Sequence, residues 1–231
     1  MLAFVAAEAR EFAGLLPFCR GVRGTDLRVD WSRRAELNGR EVLLAANGAG
    51  PRRAGQALLS LRGAGGAMHG VVSVGFCGAL DPGLRVGDVF VASGLQADGK
   101  EWPVDMPQSD RPFRSGVLVS VDRVAQSVAD KRELREGGAA AVEMEAAGVA
   151  SRVREWGIPF FCVRSVTDLA GEGFILDFNA VRLADGRFSM PLILAAAMRR
   201  PFTVLPELLR LRSRSVKAAR SLGEFIANCR F

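Results

Sequence analysis

Short apolar segments alternate with amphipathic segments over most of the chain. Each apolar segment ends in glycine or another small residue, and a helical pattern or a loop follows it. Because these segments offer hydrophobic side chains to both faces, we expect a central twisted, mixed and mostly parallel sheet that helices cover on both sides. The predicted fold class is therefore α/β, as a three-layer α/β/α sandwich. The predicted strands are residues 2–7, 41–50, 70–80, 88–93, 139–145 and 160–168.

The other segments predict three helices and a loop. One helix is expected from about residue 8 to residue 16, and a second begins at Pro51, because proline is favoured at the first helical position. Residues 94–116 are polar and rich in proline, which predicts an ordered loop. Residues 204–228 predict a helix whose apolar side holds Leu208, Leu211, Leu222, Phe225 and Ile226, with a basic stripe of Arg210, Arg214 and Lys217.

Length and composition favour one domain. A chain of 231 residues that is 49% hydrophobic is sufficient for one sizeable α/β core. We expect a main body over residues 1–200, and residues 201–231 as a basic, amphipathic helical extension of the same domain. The N-terminus has no basic segment and reaches Glu8 early, and no apolar segment is long enough to span a bilayer, so the predicted location is the cytoplasm.

The net charge of +6 is concentrated in the tail. Residues 198–231 hold eight Lys or Arg and two Glu, and the preceding residues are balanced. A nucleic-acid partner is therefore not expected. The tail has two interpretations: a terminal helix packed on the body with a solvated basic face, or a membrane-associated helix that contacts an anionic surface or an acidic partner.

The cysteines do not predict a metal site or a disulfide. They are widely separated and form no CxxC pair, and His69 is the single histidine of the chain. We expect no metal ion and no cofactor, and we do not expect a catalytic role for His69. The cysteines are Cys19, Cys77, Cys162 and Cys229.

Carboxylates occur where three predicted strands end, and ligands of open α/β sheets bind at the carboxyl ends of strands. If residues 143–145 are extended, both glutamates point to one side and Met144 to the other; if the segment is helical, the two glutamates diverge. Each acid also has an ordinary structural interpretation, as a first-turn acid of a helix or as an N-cap. The candidates are Glu8, Glu11, Glu143, Glu145 and Asp168.

Two glycine-containing segments are further candidates. The sequence NGAGPRR at residues 47–53 precedes and begins a predicted helix, so the backbone near Gly50 and the side chains of Arg52 and Arg53 are a candidate anion site. As a motif, this sequence is weak. The glycines of residues 75–88 do not match GxGxxG, and we expect them to permit close backbone approach at a strand end. Arg164, inside the last strand, is expected to form a buried ion pair.

Three segments, in this order, resemble the nucleoside phosphorylase superfamily. They are SVGFCGALDPGLRVGDVFVAS (73–93), AAAVEMEAAGVA (139–150) and VRSVTDLA (163–170). The superfamily includes purine nucleoside phosphorylases, uridine phosphorylase and methylthioadenosine/S-adenosylhomocysteine nucleosidase. The chain is most similar to the nucleosidase-like bacterial branch, which also contains hopanoid-associated phosphorylases. The resemblance covers about residues 1–200 and implies a nucleoside phosphorylase-like catalytic domain.

The resemblance implies cleavage of the N-glycosidic bond of a purine nucleoside, with a modified 5′ position. Asp168 takes the position of the general acid that protonates the purine N7, and Glu11, or Glu8 if the alignment slips, that of the glutamate that orients the nucleophile. Glu145 matches the glutamate that binds the ribose hydroxyls and favours the developing cation. Met144 matches the methionine that packs on the sugar, and Glu143 is expected to support the site. Val124 stands where the relatives have an aromatic residue that stacks on the base. The residues expected near the sugar or the nucleophile are Gly75, Phe76, Cys77 and Gly78.

Departures from the family pattern bear on the nucleophile. Phosphorylases usually have Ser or Thr at the position of Phe76 and Arg at that of Ser73, which favours water unless Arg52 and Arg53 compensate. The expected partners are a nucleoside, water or phosphate as co-substrate, and further copies of the chain in a homo-oligomer. The alternatives are a phosphate-dependent phosphorylase and a non-catalytic, nucleoside-binding or membrane-docked module, for which Phe76 and Val124 are the supporting features.

Overall fold

The computed structural model describes residues 1–64 and 67–231 and contains a ten-stranded sheet with helices on both faces. The strands are β1 (Leu2–Ala6), β2 (Arg20–Gly24), β3 (Trp31–Leu37), β4 (Arg40–Ala46), β5 (Gly70–Ala79), β6 (Val89–Ala97), β7 (Lys100–Trp102), β8 (Gln108–Ser109), β9 (Arg114–Ser120), β10 (Ala141–Glu143), β11 (Phe160–Asp168) and β12 (Cys229–Arg230). The helices are α1 (Pro51–Gly63), α2 (Val128–Glu136), α3 (Ala146–Trp156), α4 (Met190–Arg199) and α5 (Pro201–Ala227).

The sheet is mixed, and its centre is parallel. The strand order is β10-β9-β6-β11-β5-β1-β4-β3-β2, with β7 beside β6, while β8 and β12 pair separately. The central pairs β11–β5, β5–β1 and β1–β4 are parallel, and β6–β11 and β3–β4 are antiparallel. The carboxyl ends of β1, β5 and β11 therefore lie side by side. The candidate carboxylates lie at these carboxyl ends.

The two largest hydrophobic clusters of the described residues lie one on each face of the sheet. One face packs on α1 and α3, whose buried side chains include Leu58 and Val149. The other face packs on the C-terminal part of α5, through Leu222, Phe225 and Ile226. The strands between them are buried on both sides, as the continuous apolar pattern of β5 predicts. The predicted three-layer α/β/α fold class is confirmed.

The helices approach one another closely where glycine removes a side chain. A Cβ atom at Gly148 of α3 would overlap the backbone of Pro51 in α1. At Gly223 of α5 a Cβ would overlap the backbone of Gly14. Because backbone atoms cannot yield as a flexible side chain can, glycine at these positions determines how close the helices lie.

Several predicted elements were wrong in detail. The helix expected from residue 8 to residue 16 is two short 3-10 helices, Ala9–Phe12 and Leu16–Phe18, since Pro17 cannot continue an α-helix. The loop expected at residues 94–116 contains β7 and β8 and the ends of β6 and β9. The strand expected at residues 139–145 is limited to β10. The sequence analysis missed β2, β3, β9, β12, α2 and α4, and it left open whether a helix or a loop follows residues 139–145, where α3 lies.

The C-terminal helix is longer than predicted, and one arginine of the predicted basic stripe forms an ion pair with the body of the protein. Leu222, Phe225 and Ile226 are buried as expected. Arg214, however, is bonded to Glu172, with Nη1 to Oε2 at 2.5 Å and Nη2 to Oε1 at 3.0 Å. Of the helices in residues 1–64 and 67–231, none has the combination of length and apolar character that crossing a bilayer requires.

Candidate active site

Three buried carboxyl groups surround the last residues of β5. Glu11 is 6% exposed, and Glu145 and Asp168 are each 8% exposed. Glu11 follows β1, Asp168 ends β11, and Glu145 lies between β10 and α3. The parallel pairs β1–β5 and β5–β11 and the antiparallel pair β5–β10 bring these three segments together. Carboxylates are rarely this buried, so each must be held by specific partners.

Glu11 is bonded to three backbone amides. Its Oε2 atom accepts hydrogen bonds from the N–H groups of Ala7 and Glu8, both at 2.8 Å, and its Oε1 atom accepts one from Phe76 at 2.9 Å. Burial raises the pKa of Glu11 to about 6, although the hydrogen bonds from the backbone N–H groups of Glu8 and Phe76 lower it. Glu8, the alternative candidate, is more exposed and pairs with Arg10 at 2.5 Å.

Glu143 and Glu145 have different environments. Glu143 ends β10 and pairs with the fully buried Arg164, with Oε2 and Nη2 at 2.5 Å. It also accepts hydrogen bonds from the N–H groups of Glu145 and Ala146 at 2.9 Å. Arg164 in turn donates to Ser73 Oγ at 2.8 Å. Glu143 and Arg164 therefore form an internal ion pair at the start of α3, as expected for Arg164.

Glu145 is turned toward the start of α1. Its Oε1 atom accepts a hydrogen bond from the Gly50 N–H at 3.1 Å. Burial, followed by the nearby charges of Glu143 and Glu11, raises the pKa of Glu145 to about 8. A pKa of about 8 favours the protonated form of Glu145 at neutral pH.

Asp168 is paired with a buried lysine. Lys131 Nζ lies 2.5 Å from Asp168 Oδ2 and also donates to the Leu169 carbonyl oxygen at 2.7 Å. The Thr167 hydroxyl donates to Asp168 Oδ1 at 3.0 Å. Lys131 lies in the first turns of α2, whose start is defined by a capping box between Ser127 and Asp130. The Lys131 side chain is 1% exposed and that of Asp168 is 11% exposed.

Two glycines of β5 make room for the carboxylates. A Cβ atom at Gly75 would come within 2.7 Å of Glu11 Oε1, and one at Gly78 within 2.7 Å of Asp168 Oδ2. A side chain at either position would displace a carboxylate. Between these glycines, Phe76 is half-buried, and burial raises the pKa of the Cys77 thiol well above its usual value.

For Met144 and Val124 the structure gives burial and, for Val124, backbone hydrogen bonds, but among the described residues no bond to the three carboxyl groups. Met144 is half-buried between the two glutamates. Val124 is half-buried, and its N–H and carbonyl groups are bonded to the side chain of Asn179 at 2.9 and 3.0 Å. The loop after β11 therefore contacts the segment that, by resemblance, faces the base.

The candidate anion site has partners within the chain. The Gly50 N–H is bonded to Glu145, and Arg53 lies 3.6 Å from Asp185 and 3.9 Å from Asp30. Arg52 is exposed. These contacts leave Gly50 and Arg53 less available to a phosphate than the sequence motif predicts.

The sequence analysis missed Lys131 entirely. Its helix is strongly polar, with Lys131 as its single buried residue among those described, so the apolar pattern contains no signal for it. The pairing depends on α2 packing beside the end of β11, which is a tertiary contact. A capping box at Ser127 was a local signal that would have located the helix itself.

Glu11, Glu145 and Asp168 all lie near the carboxyl ends of the central strands, but their contacts differ. Among the bonds of the described residues, none joins Glu145 directly to Asp168. A cleft of about 920 Å³ lies at the opposite end of the sheet, where Met1, His69 and Phe231 are part of its lining. The candidate carboxylates do not line that cleft.

Comparison with known proteins identifies relatives with named activities. A curated relative, the 5′-methylthioadenosine/S-adenosylhomocysteine nucleosidase of Staphylococcus aureus (strain JH9), is 30% identical over an alignment of 139 residues that covers 48% of this chain. The chain spans 61% of the length of this relative.

Solved structures show the same fold at lower identity. A futalosine hydrolase mutant of Helicobacter pylori strain 26695 superposes with a TM-score of 0.72 at 18% identity, over 98% of this chain and 96% of that one. A mutant of Helicobacter pylori MTAN with 5′-methylthioadenosine in the active site has a TM-score of 0.70 at 20% identity, over 97% of both chains. The family model of the phosphorylase superfamily matches residues 32–105 and 104–184, and this match shows that the chain belongs to that superfamily.

Proposed function

We propose that the protein hydrolyses the N-glycosidic bond of a purine nucleoside that is modified at its 5′ position. The observation that carries this proposal is the convergence of Glu11, Glu145 and Asp168, all buried, on the end of β5. The relatives support it by name, since they are a nucleosidase and a hydrolase. A neighbouring structure holds 5′-methylthioadenosine, which is a 5′-modified purine nucleoside.

The three carboxyl groups have distinct roles in this proposal. When the bond between the sugar and the base breaks, its electron pair passes to the purine, and Asp168 delivers a proton to N7. Glu145 binds the ribose hydroxyls and, once ionised, stabilises the positive charge that develops on the sugar. Glu11 takes a proton from the water whose oxygen bonds to the anomeric carbon.

The lysine beside Asp168 determines where the delivered proton comes from. An ion pair of Lys131 with Asp168 holds a proton on the lysine, 2.5 Å from the carboxylate. In our proposal the pair acts as one donor: a proton passes from Lys131 through Asp168 to the purine. The pair is then left with one negative charge, which favours the cationic sugar.

Water is the nucleophile that the contacts favour. The hydroxyl of Ser73, where phosphorylases usually have arginine, accepts a hydrogen bond from Arg164. Arg53 is paired with Asp30 and Asp185, and the Gly50 N–H is bonded to Glu145. Of the groups that would compensate for missing phosphate ligands, Arg53 and the Gly50 N–H are therefore engaged within the chain, whereas Arg52 is exposed.

The test is release of free base from 5′-methylthioadenosine, adenosine and inosine, with and without inorganic phosphate. We expect base release that does not depend on phosphate, and the loss of at least about a hundredfold in kcat for Asp168→Asn. Asp88→Asn is the control, because Asp88 lies in the β5–β6 connection, where its side chain accepts a hydrogen bond from the Arg85 N–H, outside the proposed site. Strict dependence on phosphate would replace hydrolysis with phosphorolysis. Nucleoside binding without turnover in the wild type would favour a binding module.

A homo-oligomer remains a prediction. Size-exclusion chromatography with light scattering measures the molar mass in solution, and a monomer that retains full activity would contradict the prediction of a homo-oligomer.

A further inference from the structure

Helices α4 and α5 expose an unusual number of large apolar side chains. On α4 they follow a four-residue spacing and on α5 spacings of three and four, so each helix presents them on one side. Soluble proteins rarely expose apolar patches this extensive without a partner. We call these residues the apolar stripe: Met190 (70% exposed), Leu194 (64%), Met198 (75%), Phe202 (93%), Leu205 (49%) and Leu209 (58%).

The apolar stripe is not needed to hold the helices on the body. The inner side of the two helices does this through Ile193, Val204 and Leu208, which pack with Leu176 and Val181 from the loop after β11. The stripe faces outward, away from this cluster, and α4 has no buried residue among those described. Its apolar side chains are therefore available to another surface.

The charge around the apolar stripe has one sign. Arg199 and Arg200 lie where α4 meets α5, and Arg210 and Arg212 lie beside Leu209; all four are exposed. Glu207 is the single carboxylate of residues 190–220. Its side chain is buried and accepts hydrogen bonds from the N–H groups of Ile175 at 2.7 Å and Leu176 at 2.9 Å. Arg210 Nη2 lies 3.9 Å from Glu207 Oε1, and the other three arginines have no ion pair among the described residues.

We propose that the apolar stripe and its arginines form a docking surface for an anionic phospholipid bilayer. A helix with an apolar face and a basic polar face lies in the membrane interface, with its apolar side chains among the acyl chains and its cations at the headgroups. A second copy of the chain fits less well, because it would bring the same arginines to the interface with no exposed acid of residues 190–220 to pair with them. An anionic bilayer matches both the hydrophobicity and the charge.

Docking would bring the loop after Asp168 close to the bilayer. Glu207 of α5 binds the backbone of that loop at Leu176, and Arg214 pairs with Glu172 of the same loop at 2.5 Å. The apolar stripe is thus rigidly connected to a segment that begins at the candidate site. This inference does not rest on the proposed function, since lipid binding needs neither a nucleoside nor turnover.

The test is co-sedimentation of the full-length protein with vesicles. One set is phosphatidylcholine alone and the other is phosphatidylcholine mixed with phosphatidylglycerol. We expect wild-type protein to bind the anionic vesicles more tightly, and added sodium chloride to weaken this binding. The double variant Met198→Ser/Phe202→Ser should lose at least about tenfold in partition coefficient, because both side chains leave the acyl region.

The matched control is Met106→Ser, which removes a methionine that is 45% exposed on another part of the surface. It should bind vesicles as the wild type does. Arg199→Gln/Arg200→Gln should weaken binding to the anionic vesicles and leave binding to neutral vesicles unchanged. Thermal unfolding of each variant checks that it is folded.

Three results would overturn the proposal. The first is a wild-type protein that does not sediment with anionic vesicles at low salt. The second is a folded Met198→Ser/Phe202→Ser variant that binds as tightly as the wild type. The third is a wild-type oligomer that this variant dissociates in sedimentation velocity, which would identify the apolar stripe as an interface between copies.

Discussion

The ion pair of Lys131 with Asp168 offers a direct test of the site's electrostatics through protein stability. Replacing Lys131 by methionine keeps an unbranched side chain that is one atom shorter and removes its charge. The carboxylate of Asp168 is then left with the Thr167 hydroxyl as its remaining polar partner among the described contacts. The Leu169 carbonyl oxygen loses its hydrogen bond from Lys131 as well.

The magnitude follows from burial. The side chains are 1% and 11% exposed, so water cannot solvate the group that remains. Removing one partner of a buried ion pair costs about 3–5 kcal/mol of the free energy of unfolding. Removing both charges is much less harmful, because no charge is left in the interior. We therefore expect Lys131→Met to lose about 4 kcal/mol, and Lys131→Met/Asp168→Asn to lose less than the sum of the single variants by at least about 1.5 kcal/mol.

Urea unfolding at neutral pH, followed by tryptophan fluorescence, measures these free energies. The control is Arg152→Met, which breaks a pair with Glu155 whose side chains are 43% and 59% exposed. This exposed pair should contribute no more than about 1 kcal/mol. If the two single variants and the double variant were additive within about 0.5 kcal/mol, the pair would not be the buried, coupled unit that the contacts indicate.

Two further predictions concern pH and packing. The folded-state pKa of Glu145 is raised from 4.5 to about 8, so the stability that its protonated form contributes is complete below about pH 4.5 and is lost as the pH rises through about 8. The urea midpoint of the wild type should therefore fall more between about pH 5 and pH 8 than that of Glu145→Gln, and parallel pH profiles would contradict this. Gly148→Ala should cost about 3 kcal/mol or more, because its Cβ overlaps the backbone of Pro51, whereas Gly63→Ala, with open space around its Cβ, should be neutral or slightly stabilising. Equal unfolding temperatures for these two variants would refute the packing argument.

The sequence predicted the centre of the fold and missed its edges. Strands β1, β4, β5, β6 and β11 are apolar on both faces, so their pattern is strong and local. Strand β2 is the edge strand and is exposed along its length, and its neighbour β3 is partly exposed; both contain arginines. An edge strand has one paired neighbour and a solvated face, so its side chains need not alternate clearly. Helix α4 was missed because its sequence, MPLILAAAMR, is almost continuously apolar, and periodicity cannot assign such a segment to a helix or a strand.

The candidate carboxylates show the same division. Glu11, Glu145 and Asp168 were candidates from their positions at strand ends, and the parallel order of β1, β5 and β11 explains why such positions converge. Their environments were not evident from the sequence. Glu143 and Glu145 are two residues apart, yet one pairs with Arg164 and the other with the Gly50 amide.

The sequence by itself determined which segments are strands of a covered sheet and which acids lie at their carboxyl ends, since periodicity and strand order along the chain are local properties. Tertiary structure alone decided that Lys131 meets Asp168, that Arg214 meets Glu172, and that the side chains of Met198 and Phe202 remain exposed. These outcomes depend on the packing of distant segments. A lysine of α2 becomes the partner of an aspartate of β11 because the fold excludes water between them, and nothing in the neighbouring residues encodes that contact.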